Sequence, residues 1–93
     1  MTERERQRGN RPGKTAETVA QNVKTFRYVV RRMTQAQLAS ATRDLGRPIP
    51  VSMISKIEHG LRRVDVDDLV TLAEALQVEP FHLLNQFSYS RWI

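Results

Sequence analysis

The sequence has no cysteine. That excludes a disulfide framework and any zinc site built on thiolates, and a small domain without such staples points to a reducing compartment or to stability from helix packing. No apolar run approaches the roughly 20 residues that a membrane span needs. Residues 1–14, "MTERERQRGNRPGK", offer no apolar side chain after Met1. They are expected to form a flexible basic arm that cannot offset its own ordering entropy and that is either a solvated tail or an arm that touches DNA. With no apolar stretch behind the basic residues, a secretory signal is not expected either. Alternating strand patterns and internal repeats are missing. The two histidines, His59 and His82, lack ligand spacing, so no metal and no cofactor is expected.

What remains is 93 residues, enough for one small domain, with 40% hydrophobic residues for a thin core. Fifteen Lys and Arg stand against ten Asp and Glu, and the pI is near 10.4. An acidic partner is favoured: nucleic acid, an anionic surface or an acidic protein. The charge is also segregated. Residues 24–63 hold nine Lys or Arg against Asp44 and Glu58, whereas residues 64–93 hold one Arg against five acids. This polarity suits a single polyanion-facing side.

Helical periodicity runs through residues 15–86, read as one domain. Thr15 is expected to cap a first helix whose stripe is Val19, Val23, Phe26 and Val30. Arg31 and Arg32 either serve the C-terminal dipole of that helix or face solvent. Thr34, with Gln37 three residues on, has the form of a capping box opening a second helix, with Leu38, Ala39 and Ala41 on its inner face and Gly46 as its stop. "RPIP" cannot be helix interior. Pro50 suits the first position of the next helix, "VSMISKIEHG", which runs to about His59. Leu69, Leu72, Ala73 and Leu76 stripe a fourth helix behind Asp65, Asp67 and Asp68, and "EPFHLLN" reads as a short fifth. The fold class expected is an all-α bundle of five helices.

Two short helices joined by a turn form the minimal helix-turn-helix layout. Ile54 and Ile57 can seat the second helix on the core. Its outer edge, with Val51, Ser52, Ser55 and Lys56, then offers small and hydrogen-bonding side chains to base edges in a major groove. Gln35, at the start of the first helix of the pair, can donate to a phosphate.

"MTQAQLA", "SMISKIEHG" and "VDVDDLVTLAEALQVEPFHLL", in that order, resemble the phage-repressor-like (Cro/cI, XRE-type) helix-turn-helix family over residues 16–85. The resemblance implies a compact five-helix domain of the lambda-repressor type that binds double-stranded DNA, usually as a homodimer on two half-sites. It puts the phosphate-contacting Gln on Gln35. The base-reading positions fall on Val51, Ser52 and Lys56, flanked by Met53 and Ser55. A structural pair joins Arg27 and Glu58. It implies a transcriptional regulator, a repressor acting by occlusion, in the cytoplasm of a bacterium or a phage host and on the nucleoid when bound. Two departures stand out. The stretch from Ala39 to Val51 is about five residues longer than the compact family turn, and the first connection, "VVRRM", is one residue longer than the family's.

Each position has a plainer reading as well. Lys56 is either solvated or paired with guanine or a phosphate. Ser52 is either a helix-start residue or a base contact, and Val51 is either half-buried or against a thymine methyl. Arg62 and Arg63, and less so Arg43 and Arg47, are expected on phosphates. Phe87, Tyr89 and Trp92, half of the six aromatics, form a tail at 87–93 that either caps the core or makes a dimer contact. Ser55, Glu58 and His59 do not form a catalytic triad, because sequence neighbours on a short helix diverge and no oxyanion site accompanies them. No enzyme activity and no membrane association is expected. The alternatives kept open are an antitoxin that regulates its own operon, and a protein–protein adaptor that does not read DNA. RNA binding is disfavoured, since the basic helices lack aromatic stacking platforms.

Overall fold

The computed structural model describes residues 12–86. The basic arm up to residue 11 and the aromatic tail from residue 87 lie outside them. Among the described residues there are five α-helices and no strand: α1 Lys14–Thr25, α2 Gln35–Asp44, α3 Val51–Glu58, α4 Val66–Leu76 and α5 Pro80–Leu84. Among the described residues, no helix is long and apolar enough to cross a membrane.

The first helix starts two residues earlier than its sequence suggests. Gly13, not Thr15, is the N-cap, and no side chain caps it. Gly13 O instead accepts from Glu17 N, leaving Thr15 inside the first turn. At its other end α1 widens into a π turn, Phe26–Val30, closed by Arg31 N donating to Phe26 O at 2.8 Å. An i→i+5 turn holds one residue more than an α turn. It thus takes up the extra residue of "VVRRM". Arg32, at φ +53°, then turns the chain away.

Thr34 forms a complete capping box: Gln37 N donates to its hydroxyl and Thr34 N donates to the Gln37 side chain. The helix ends at Leu45 and Gly46, the latter at φ +89°. Pro50 is the N-cap of α3 rather than its first helical residue. Its extended ψ of 161° puts its carbonyl in position to accept from Met53 N and Ile54 N. Asp65 caps α4 by accepting from Asp68 N at 2.7 Å.

The core gathers Val19, Val23 and Phe26 of α1, Leu38 of α2, Ile54 and Ile57 of α3, Leu72, Ala73 and Leu76 of α4, and Leu83 of α5. Ile49, in the long turn, is buried among them. Val30 and Leu69, read as stripe residues, are only partly covered. Helix α1 packs on α3 and α5, and α2 packs on α3 and α4. A helix as short as α3 does not hold itself together in water. Burial of Ile54 and Ile57, worth about 1.5–3 kcal/mol each, holds it on the domain.

Two polar side chains do work that no motif signals. Asn22 is 2% exposed. Its amide nitrogen lies within 3.2 Å of the carbonyls of His82, Leu83 and Asn85, closing the C-terminal end of α5. Arg31 does the same for α4, donating to Leu76 O at 2.7 Å and Gln77 O at 2.8 Å. Its cation therefore serves the dipole of α4, not that of α1.

Candidate nucleic-acid interface

Helix α3 has two unlike faces because its apolar residues recur at i, i+3. Ile54 and Ile57 are 0% and 1% exposed. Val51, Ser52 and Lys56 are exposed, while Met53 and Ser55 are half-buried. Ser52 and Lys56, one turn apart, share an outward row, as do Val51 and Ser55. His59 Nδ1 lies 2.7 Å from Ser55 O. Only a protonated Nδ1 makes that a hydrogen bond, so the ring closes the end of the helix instead of facing a substrate. Gly60, at φ +71°, ends the helix sharply and leads to the exposed Arg62 and Arg63.

The C-terminal end of α3 is clamped. Arg27 Nε donates to Glu58 Oε2 at 2.6 Å and Arg27 Nη2 donates to Glu58 Oε1 at 2.9 Å, a two-pronged pair with both side chains buried. A third guanidinium donor reaches Met33 O at 2.7 Å. Gln35 Nε2 donates to Glu58 Oε1 at 3.1 Å. A single carboxylate thus joins the end of α1, the start of α2 and the end of α3. Gln35 is half-buried, and this bond fixes which way its amide is turned. It opens on a cleft of about 540 Å³ whose walls also include Tyr28, Arg32 and Thr34. No motif in the sequence marks Tyr28 or Arg32 as contacts. The left-handed Arg32 is the one local mark of that corner.

The N-terminal end of α3 is held through the long turn. Arg47 Nε donates to Asp68 Oδ1 at 2.9 Å, and Arg47 Nη2 lies 3.5 Å from Asp65 Oδ2. The Asp68 hydrogen bond is the main reason the Arg47 guanidinium is held above its ordinary pKa. Thr42, fully buried, accepts from Ile49 N at 2.9 Å and donates to Ala39 O at 2.7 Å. Arg43 is exposed on the last turn of α2, where its Nη2 donates to Ser40 Oγ at 3.1 Å.

The described part of the expected interface is therefore assembled unevenly. Val51, Ser52 and Lys56 are exposed on α3, Gln35 is bonded to Glu58 at the C-terminal end of that helix, Arg43 and Arg62 are exposed, and Arg47 is engaged with the start of α4. The model for the family described as helix-turn-helix matches residues 31–83, more than half of the chain.

The chain belongs to the XRE-type helix-turn-helix family.

The match spans α2 to α5 of this helix-turn-helix protein, and the family is one of DNA-binding transcription regulators. A solved structure, that of the restriction-modification controller protein C.AhdI from Aeromonas hydrophila, is similar in fold. It aligns with a TM-score of 0.63 at 24% identity, over 73% of this chain and 94% of that chain. No curated protein matches the chain. Among the described residues, no group of three or more His, Asp or Glu side chains could hold a metal ion.

Proposed function

We propose that α3 is the recognition helix and enters the major groove of double-stranded DNA with Val51, Ser52, Ser55 and Lys56 toward the base edges. The observation that carries this is the division of α3, with its isoleucines sealed in the core and a serine–lysine row left outward. Lys56 donates to guanine O6 and N7, and Val51 packs on a thymine methyl. Gln35, Arg43, Arg62 and Arg63 set the register by contacting phosphates. The protein acts as a homodimer on two half-sites about one helical turn apart, and it represses by occluding the promoter. The solved neighbour being a controller protein is in keeping with a regulatory role.

The test is binding to a site selected from random double-stranded DNA, measured over a range of salt. Arg62→Ala is expected to weaken all sequences alike and to reduce the salt slope by about 0.9. Lys56→Ala is expected to relax preference at one or two base positions of the selected site. A protein that selects no sequence, or a Lys56→Ala variant with an unchanged preference, overturns the reading. A palindromic selected site supports the dimer, and a single half-site argues against it.

A further inference from the structure

The long turn between α2 and α3 is built as a strut. It begins where Gly46 reverses the chain. Thr42 of α2 and Ile49 of the turn are both buried, and the Thr42 hydroxyl holds Ile49 N. Pro48 and Pro50 flank Ile49, so two of the three residues before α3 have a fixed φ and Ile49 is kept extended. Pro50 then starts α3 directly, its carbonyl accepting from the amides of Met53 and Ile54. The direction of α3 is thereby coupled to the position of Arg47, four residues before its first turn.

Arg47 is in turn tied to a different helix. Its partner Asp68 is 10% exposed and sits in the first turn of α4. A carboxylate so enclosed needs its cation, and removing that partner leaves a buried charge unmatched. This argues against Arg47 leaving Asp68 to meet a phosphate. We propose that Arg47 is a positioning residue of the recognition helix. Anchored on Asp68 and Asp65, it fixes through Pro48, Ile49 and Pro50 the angle at which α3 is presented, and it shapes sequence preference without touching DNA. The Arg27–Glu58 pair holds one end of α3 and the Arg47–Asp68 pair holds the other. Neither uses the outward row. The proposal rests on α3 being the reading helix.

The experiment compares the full chain with Arg47→Met, Asp68→Asn, the double variant and Lys56→Ala. The probes are the site selected from random double-stranded DNA and a random-sequence duplex, each titrated over a range of salt. Arg47→Met is expected to lower the ratio of selected to random affinity by about 3- to 10-fold, at the scale of one impaired base contact. Its salt slope is expected to stay at the wild-type value. Asp68→Asn, on a side chain that carries no positive charge to DNA, is expected to give the same loss, and the double variant to add nothing further. A fall of about 0.9 in the slope of Arg47→Met is the signature of one lost phosphate contact and overturns the proposal. So does an unchanged ratio with an unchanged slope. Should Arg47→Met fail to fold because it leaves the enclosed Asp68 carboxylate unmatched, Asp68→Asn decides, since the half-exposed Arg47 it releases is solvated: an unchanged ratio of selected to random affinity for Asp68→Asn then overturns the proposal. If Lys56→Ala leaves preference intact, the reading of α3 fails. If Lys56→Ala alters preference and Arg47→Met does not, only the positioning role fails.

Discussion

Arg27→Met tests how much the buried clamp under α3 contributes. In the native domain the Glu58 carboxylate is 3% exposed and accepts two bonds from Arg27 and one from Gln35. Methionine fills much of the space of the arginine stem but removes the only cation among those partners. Glu58 then keeps a buried charge against one neutral donor, for which the cost is about 3–5 kcal/mol. A domain of this size has about 5–15 kcal/mol in total, so the variant stands near the edge of folding. Urea unfolding followed by far-ultraviolet circular dichroism reads the change. With a slope of about 1–2 kcal/mol per molar urea, the midpoint falls by at least about 1.5 M. Glu58→Leu in the same chain completes the cycle. The double variant has no charge left at the clamp. It loses two further bonds, Arg27 to Met33 O and Gln35 to Glu58, at about 1 kcal/mol each. The double variant is therefore expected to be more stable than Arg27→Met alone. A cost below about 1 kcal/mol for Arg27→Met, or a double variant whose cost is the sum of the two singles, refutes the reasoning that the pair is a mutually dependent unit.

Three further substitutions probe the frame around the site. Thr34→Ala removes the acceptor for Gln37 N and is expected to cost about 1 kcal/mol, with faster amide exchange at Gln37 as the local readout. Gly60→Ala meets nothing within 4 Å, so its cost is conformational only. At φ +71° that is about 1–2 kcal/mol, read as a lower thermal midpoint without loss of helix content. Asn22→Ala leaves the carbonyls of His82, Leu83 and Asn85 without that donor. Two amide hydrogens cannot fully serve three acceptors, so about 1–3 kcal/mol is expected rather than three full bonds, again by urea unfolding.

What the sequence makes legible here is whatever is written in local pattern. The Thr34–Gln37 box, the glycine stops at 46 and 60 and the inward isoleucines of α3 depend on neighbours three or four residues apart. The ends of α1 and α3 are less legible. A glycine cap and a proline cap satisfy the first amides through backbone geometry and solvent rather than a side-chain acceptor. Long-range polar links are nearly silent. Asn22 meets carbonyls 60 to 63 residues away, and every residue has a carbonyl, so no residue type marks the partner. Arg31 has the same difficulty with Leu76 and Gln77. Arg27 and Glu58 are 31 residues apart, and only the family resemblance joins them in the sequence. Arg47 and Asp68 have no such help. Read singly, one is a candidate phosphate contact and the other a dipole residue of α4.

The division of labour in α3 follows from its length. Eight residues cannot form a stable helix alone, so its position is set by groups on its inner side and at its ends. Those groups are Ile54, Ile57, Glu58 and the Pro48–Pro50 strut. None of them is among the exposed residues 51, 52 and 56. Substitutions on that row therefore fall in the class of surface changes worth within about 0.5 kcal/mol of stability. The same substitutions alter what a major groove would meet. In this arrangement sequence preference can change one side chain at a time while the helix stays where it is. The reverse is expected for the clamps: a change at Arg27 or Arg47 is expected to move the exposed side chains of α3 together, and so to alter preference as a whole rather than at one base.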